Sequence, residues 1–231
     1  MEIESIGEGI YQIPRLGFSN AYLVEIDSKN LILIDSGTSS GSTKILDYLK
    51  QTGRTPSSIG EIILTHADAD HSGSAAALKR ATGAKLAVGE LDVPRVSGQV
   101  TKIKETNGFG NVLISFFGIF MKVERVPPDV ILRDGDNVGP LSIIGTPGHT
   151  DGSICVYKPG QALFAGDSLR TTGTGEIKMP GNFMNRNSAQ LMKSVEKISK
   201  LDFSILLPGH GRPVTENASG KLREFVARGF K

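Results

Sequence analysis

The sequence predicts an α/β (α+β) fold, an αββα four-layer sandwich of two mixed β-sheets flanked by helices. Two observations predict it. Apolar, strand-like runs are followed by segments with helical spacing, and this order occurs twice along the 231 residues. No low-complexity stretch or Pro/Gly-rich linker divides the chain, and 39% apolar residues are enough to bury a full core. We therefore expect residues 1–231 to form a single domain.

The elements of the first half follow from local patterns. Residues 8–35 contain alternating or continuous apolar strands, and residues 42–51 have the spacing of an amphipathic helix. The run 61–65 is short and apolar, which predicts a buried strand. Residues 72–80 combine hydroxyl capping candidates with strong helix formers and predict a helix, and residues 84–88 predict another strand.

The second half repeats this order from residue 130 onwards. Strands are predicted at 141–145, 153–158 and 161–166, and helices at 188–200 and 217–229. Two rounds of strands followed by helices indicate two sheets that pack face to face, with the helices outside.

The segment 93–126 fits this scheme least well, and we expect it to be an apolar helical insertion. Its residues 112–121 are nearly all apolar but too few to span a bilayer, so stable membrane insertion is not expected. A helix that is apolar nearly all round needs cover on two sides. It is interpreted as a core helix, as a lid over a substrate pocket that could also form a homodimer contact, or as a membrane-surface helix.

All four histidines of the chain fall within one pattern of metal-ligand residue types. The run from His66 to His71, His-Ala-Asp-Ala-Asp-His, lies on the predicted loop between a strand and a helix. His149, Asp167 and His210 follow apolar runs, and each is directly preceded by glycine. Imidazole and carboxylate bind divalent metals at neutral pH. The pattern predicts a metal centre, with room for two ions, built from His66, Asp68, Asp70, His71, His149, Asp167 and His210.

These residues resemble the signature of the metallo-β-lactamase superfamily, which reads His-x-His-x-Asp-His, then a His, an Asp and a late His. Leu33-Ile34-Asp35-Ser36-Gly37 and Pro208-Gly209-His210-Gly211 also look like segments of that family, and the resemblance covers residues 8–215.

The resemblance implies two divalent metal ions, with zinc as the first expectation and iron or manganese as alternatives. It implies that Asp167 bridges them and that Asp70 orients a metal-bound water and later passes a proton to the leaving group. One metal would be surrounded by His66, Asp68 and His149, and the other by Asp70, His71 and His210.

Asp68 departs from the family pattern, because it stands where the second His is usual. Two divalent cations against two carboxylates and a hydroxide leave a net charge of about +1, and a third carboxylate brings the sum to about zero. Such a site withdraws less charge from bound water, and oxygen ligation favours harder ions such as iron or manganese. Asp68 could ligate the metal directly or reach it only through water.

Hydrolysis is the leading reaction class, since a hydroxide held between two cations is a nucleophile at neutral pH. The first hypothesis is a metal-dependent hydrolase of an ester, lactone or thioester with an apolar portion. The second is an iron oxidoreductase of the same fold that acts on oxygen, nitric oxide or sulfur species. It is weakened because no electron-transfer cysteines are present. A non-catalytic or nucleic-acid-processing member is the third.

Composition sets the expectations for partners and location. The net charge is +2 and the basic residues are dispersed, so we expect a small-molecule substrate and no nucleic acid. The chain has one cysteine, Cys155, and its first residues carry no secretory signal, which favours the cytoplasm.

Two further groups of residues are open to more than one interpretation. Asp35, after a predicted strand, could accept a hydrogen bond from a metal-bound His or cap the turn at Ser36-Gly37. The region after Asp167 contains polar candidates for substrate specificity, which could equally be solvated loop residues. They are Ser168, Arg170, Lys178, Asn182, Asn185 and Arg186.

Overall fold

The computed structural model describes residues 5–13, 16–100 and 123–230. Within these ranges the first sheet has seven strands, which lie side by side in sequence order. They pair antiparallel up to β4 and parallel from β4 onwards. The strands are β1 (Ser5–Gly7), β2 (Ile10–Gln12), β3 (Tyr22–Glu25), β4 (Leu31–Ile34), β5 (Ile59–Leu64), β6 (Lys85–Gly89) and β7 (Val130–Leu132).

The second sheet has five strands in the described residues, in the order β14-β11-β10-β9-β8. Its pair β11 and β14 is parallel and the other pairs are antiparallel, so this sheet is also mixed. The strands are β8 (Asn137–Val138), β9 (Leu141–Gly145), β10 (Ile154–Lys158), β11 (Ala162–Gly166) and β14 (Ile205–Pro208), and β12 (Arg170–Thr171) and β13 (Ile177–Lys178) form a separate ribbon.

Six α-helices and three short 3-10 helices lie in the described residues. The α-helices are α1 (Gly41–Gln51), α2 (Ala69–Ser72), α3 (Ala75–Thr82), α4 (Val93–Val96), α5 (Ser188–Ile198) and α6 (Ala218–Ala227). The 3-10 helices are Pro56–Ser58, Glu90–Asp92 and Asn182–Met184. No helix in residues 5–13, 16–100 and 123–230 is long and apolar enough to cross a bilayer.

The layers follow from the two-residue period of the strands. Along β5, Ile62 contributes to the apolar cluster shared with α1 and α3, whereas Ile63 contributes to the cluster between the two sheets. Along β11, Phe164 belongs to the inter-sheet cluster and Leu163 to the cluster beneath α5 and α6. These three apolar clusters separate four layers, so the predicted αββα sandwich is confirmed.

Two details of the sequence prediction are wrong. The helix expected over 72–80 begins at Ala75, and Asp70 and His71 lie in the one-turn helix α2 instead of a loop. Gly73 keeps helical backbone angles (φ −61°, ψ −31°), whereas Ser74 departs from them (φ −101°, ψ 1°). The break between the two helices therefore falls at Ser74.

The expected apolar insertion at 93–126 is described only at its two ends. Residues Val93–Val96 form α4, and residues 123–126 form neither helix nor strand. The segment 112–121, with its core, lid, homodimer and membrane-surface interpretations, lies outside the described residues.

Candidate metal centre

The seven predicted ligand residues are positioned by the ends of three strands and by the loop before a fourth. His66 and Asp68 follow β5, and the same stretch of chain turns into α2 with Asp70 and His71. Asp167 follows β11 and His210 follows β14, the parallel pair of the second sheet. His149 lies in the loop between β9 and β10. The structure brings all seven side chains together at one edge of the sandwich.

The first ligand group consists of His66, Asp68 and His149. Asp68 Oδ2 lies 3.7 Å from His66 Nε2 and 3.2 Å from His149 Nε2. Donor atoms about 2.1 Å from a tetrahedral zinc lie about 3.4 Å from one another. The three atoms are therefore spaced as ligands of one common cation would be.

The second ligand group consists of Asp70, His71 and His210. The Nε2 atoms of His71 and His210 are 3.3 Å apart, and Asp70 Oδ2 lies 3.7 Å from the first and 3.2 Å from the second. This spacing is again that of donors around a single ion. Each of the two groups thus draws residues from both halves of the chain.

Asp167 lies between the two groups. Its Oδ1 is 3.3 Å from His71 Nε2, and its Oδ2 is 3.3 Å from His210 Nε2 and 3.6 Å from His149 Nε2. One carboxylate therefore faces imidazoles of both groups, which is the geometry that a bridging ligand requires. Gly209 makes this approach feasible, because a Cβ there would lie 2.3 Å from Asp167 Oδ1.

The Nδ1 atoms of the four histidines all have hydrogen-bond partners outside the centre. His71 Nδ1 is 2.8 Å from Asp35 Oδ2, His149 Nδ1 is 3.2 Å from Asn185 Oδ1, and His210 Nδ1 donates to the carbonyl of Phe18. For His66 the partner is the Thr65 hydroxyl at 3.0 Å. That hydroxyl donates to Asp35 and so accepts from His66. With Nδ1 engaged outside the centre in each ring, Nε2 is the nitrogen left to bind a metal, which displaces any proton held there.

Two buried polar atoms of the centre lack a hydrogen-bond partner among the described residues: His66 Nε2 and Asp167 Oδ1. A buried polar atom without a partner costs about 1–3 kcal/mol, so such atoms are uncommon. Both belong to residues of one group of closely spaced potential ligands, completed by His71. A metal cation would supply the missing partner of each atom, so the residues present fit a metal centre.

Charge and burial act in opposite directions on these side chains. Burial and the neighbouring charge of His71 lower the pKa of His66 to about 4. Burial also disfavours the charged form of His210, but hydrogen bonds to Asp167 and Asp70 raise its pKa to about 9. Burial likewise opposes ionisation of Asp68, yet its hydrogen bond to His149 and the charges of His66, His149 and Arg95 hold its pKa well below the usual range.

The raised pKa of His210 predicts a pH-dependent metal affinity. Because the pKa of His210 is about 9, the metal-free protein holds a proton on this side chain at neutral pH, and a metal must displace it. Because higher pH removes that proton beforehand, the affinity should rise about tenfold per pH unit for each proton released. The contribution of His210 should level off above about pH 9. Calorimetric titration in buffers of different ionisation enthalpy measures the release, and a pH-independent affinity would contradict the prediction.

The structure separates the two interpretations of Asp35. Its Oδ2 contacts His71 Nδ1, and its two oxygens accept hydrogen bonds from the backbone and hydroxyl of Thr65, each at 2.8 Å. Asp35 is therefore an acceptor for a ligand histidine. Of the polar candidates after Asp167, Asn185 contacts His149, Arg186 pairs with Asp151, and Ser168 is buried against Thr146.

Sequence reasoning missed two residues next to the first ligand group, Asp92 and Arg95. Arg95 Nη2 lies 2.6 Å from Asp68 Oδ1. Asp92 Oδ2 accepts hydrogen bonds of 2.8 Å from the backbone N–H of Ala67 and from the Thr150 hydroxyl. Their only signal in the sequence is a spacing of three residues in a helical turn, which is common on exposed surfaces.

A family model and two curated relatives agree on the family to which this chain is similar. The family model described as "Metallo-beta-lactamase superfamily" matches residues 14–210. The "Probable metallo-hydrolase YqgX" of Bacillus subtilis (strain 168) is 30% identical and covers 92% of this chain and 93% of its own length. The "Probable metallo-hydrolase MJ0888" of Methanocaldococcus jannaschii is 31% identical over 84% of this chain and 87% of its own length.

Solved structures show the same fold. BJP-1, a subclass B3 metallo-beta-lactamase of Bradyrhizobium japonicum, is similar with a TM-score of 0.72 and 23% identity, covering 99% of this chain and 90% of the other. TTHA1623, solved "in a di-iron-bound form", is similar with a TM-score of 0.66 and 26% identity, covering 85% and 89%. The first similarity concerns the fold alone.

Proposed function

Because the chain belongs to the metallo-beta-lactamase superfamily and is a metallo-hydrolase at that level, we propose that it hydrolyses an ester, lactone or thioester with an apolar portion. The observation that carries the proposal is the arrangement of the histidines. All four Nδ1 atoms are engaged outside the centre, and all four Nε2 atoms face carboxylates inside it. A metal pair bound there supplies a nucleophilic water and polarises the scissile carbonyl.

The site carboxylates divide the remaining tasks in this proposal. Asp167 is 7% exposed and faces both ligand groups, which suits it to hold the metals and not to exchange protons with solvent. The Asp70 side chain is 22% exposed. A proton taken up by the partly exposed Asp70 carboxylate can pass to a leaving oxygen or sulfur atom, which completes hydrolysis.

Three exposed apolar side chains favour a substrate with an apolar portion. Phe18 is 77% exposed, and its carbonyl accepts the hydrogen bond of His210. Phe183 is 64% exposed and lies two residues before Asn185, which contacts His149. Leu91 is 63% exposed and adjoins Asp92. Large apolar side chains exposed beside a polar centre are typical of a binding surface.

The test is a panel of short- and long-chain lactones, thioesters and phosphodiesters, assayed with zinc, manganese and iron in turn. We expect turnover of carbonyl substrates with zinc or manganese and a higher kcat/KM for longer acyl groups. Phe18→Ala and Phe183→Ala should reduce this chain-length preference. Ile131→Ala, which removes an exposed apolar side chain from the edge strand β7, should not. Turnover of phosphodiesters alone would contradict the proposal.

A second candidate function has a specific observation in its favour. Asp68 adds an oxygen donor to the first ligand group, and oxygen donors favour iron over zinc. We therefore propose an iron oxidoreductase acting on oxygen, nitric oxide or sulfur species as the alternative. Redox-active iron in protein purified without added metal, together with slow ester turnover, would favour it over hydrolysis.

We also propose that the substrate is a free small molecule and that the protein acts in the cytoplasm. The net charge of +2 and a single cysteine, which is buried, support this view. Binding of the purified protein to duplex DNA or RNA at physiological salt would contradict the first point.

A further inference from the structure

Asp68 uses its two carboxylate oxygens in different directions. Oδ2 faces the Nε2 atoms of His66 and His149, whereas Oδ1 accepts a hydrogen bond of 2.6 Å from Arg95 Nη2. The side chains of Arg95 and Asp68 are 17% and 33% exposed, so their interaction is only partly screened by water. A carboxylate held on one oxygen by a guanidinium has little freedom to rotate the other oxygen away from the centre.

Arg95 also changes the charge balance of the centre. With Asp68 in place of a neutral histidine, the ligand residues include three carboxylates, which with a hydroxide would cancel the charge of two divalent cations, a sum of about zero. The guanidinium of Arg95 adds one positive charge in direct contact with the extra carboxylate. Counted over the ligand residues and Arg95, the sum returns to about +1, the value expected with a histidine at this position. Asp92 Oδ1 lies farther from the guanidinium, 3.9 Å from Arg95 Nη1, and Asp92 Oδ2 is engaged by Ala67 and Thr150. Asp68 and Arg95 together therefore resemble a neutral ligand.

The backbone around Arg95 is anchored to both loops of the first ligand group. Asp92, in the preceding turn, accepts hydrogen bonds from the Ala67 backbone and from the Thr150 hydroxyl, and these residues adjoin the ligands of both loops. The carbonyl of Arg95 accepts a hydrogen bond of 2.9 Å from Arg125. Asp92 is 1% exposed, so this anchor is part of the interior. The guanidinium is thus presented to Asp68 from a fixed support.

We propose that Arg95 is a positioning residue for the first ligand group: it orients Asp68 Oδ2 toward the metal and offsets the charge of Asp68. The Asp68–Arg95 pair then takes the place of the family's second histidine. The inference rests on the proposed function only in requiring that a metal binds at His66, Asp68 and His149. It is independent of the identity of the substrate.

The first experiment compares Arg95→Gln, Arg95→Lys and a matched control, Arg133→Gln. Arg133 is also an arginine in an ion pair, but with Glu90 on the surface. Metal content, chelator competition and the absorption spectrum of the Co²⁺-loaded protein are measured, and circular dichroism checks folding. We expect Arg95→Gln to lower the metal affinity of the first ligand group about 10- to 100-fold and to change the cobalt absorption spectrum. Arg95→Lys keeps the charge and should recover most of the affinity, and Arg133→Gln should match wild type.

The second experiment crosses Arg95→Gln with Asp68→His. Asp68→His alone removes the carboxylate that pairs with Arg95 and places a neutral imidazole beside the unpaired guanidinium. Metal affinity should therefore fall at least about tenfold. Asp68→His/Arg95→Gln should bind metal more tightly than Asp68→His, so that the same arginine change has opposite effects in the two backgrounds. A merely structural role for Arg95 would lower affinity in both.

The inference is overturned if Arg95→Gln leaves metal affinity and the cobalt spectrum unchanged, or if its effect has the same sign in both backgrounds. His66→Ala separates this failure from that of the proposed function. Metal loss in His66→Ala with none in Arg95→Gln would overturn only the role of Arg95. Unchanged metal content in His66→Ala would overturn both. If Arg95→Gln does not fold, Arg95→Lys decides the question: a changed cobalt spectrum with most of the metal affinity kept supports the positioning role, and an unchanged spectrum overturns it.

Discussion

Replacing Asp167 by alanine is expected to empty the metal centre and to lower kcat/KM at least about a thousandfold, because both ligand groups share this carboxylate. His66→Ala should have a similar effect through the first ligand group. The fold should survive in both variants. The three histidines that face Asp167 keep another carboxylate partner when it is removed: Asp35 for His71, Asp68 for His149 and Asp70 for His210.

The measurements for Asp167→Ala and His66→Ala are metal analysis of the purified protein, kinetics on the best substrate of the panel, and thermal unfolding. Asp202→Ala is the matched control, since it removes a carboxylate whose side chain is 86% exposed and paired with Arg223. The control should keep wild-type metal content and activity. Unaltered metal content in both site variants would show that the centre has been misassigned.

Asp35→Asn is expected to weaken metal binding at the second ligand group about 10- to 100-fold. It should also lower the free energy of unfolding by about 1–3 kcal/mol, because the new NH2 group faces buried donors of Thr65 or His71. The carboxylate accepts from His71 Nδ1 and thereby leaves the Nε2 lone pair for the metal. The amide oxygen of asparagine is a weaker hydrogen-bond acceptor than a carboxylate oxygen, and the NH2 group beside it is a donor. Asp35 has φ of 61°, a left-handed conformation that asparagine tolerates, so the substitution tests the charge and not the backbone.

Asp35→Ala should lower the free energy of unfolding by a larger amount, about 3–5 kcal/mol, because it leaves buried hydrogen-bonding groups of Thr65 and His71 without their partner. Chelator competition and urea unfolding measure the two effects separately. Asp129→Asn is the control, since Asp129 also accepts from a backbone N–H, that of Leu86, but is paired with Lys79 at the surface. Wild-type metal affinity in Asp35→Asn would refute this account of His71.

Much of the fold could be predicted because its signals are local. The run around Ile62 and Ile63 is apolar on both faces, and that pattern alone indicates a strand buried between two layers. The seven metal-ligand candidates could be found because residue type, strand-end placement and a preceding glycine coincide at several of them. The one-turn helix α2 was missed, since four residues are too few to show helical periodicity.

The contacts around the ligands could not be predicted in the same way. Arg95 and Asp68 are 27 residues apart, and they meet only because the 3-10 turn Glu90–Asp92 redirects the chain after β6. Asn185 reaches His149 across 36 residues. A charge sum over the motif residues alone leaves out the guanidinium of Arg95, which lies against Asp68. Side-chain partners of this kind depend on tertiary packing, which no spacing rule records.

Both ligand groups draw on the two sheets at once: His66 with His149, and His71 with His210. A bound ion therefore fastens one half of the polypeptide to the other, and its binding free energy adds to that of folding. Without metal, the two halves would be joined by the apolar cluster between the sheets and by hydrogen bonds and ion pairs between histidines and carboxylates of the centre. The availability of metal in the cell would then affect the resistance of the protein to proteolysis as well as its activity.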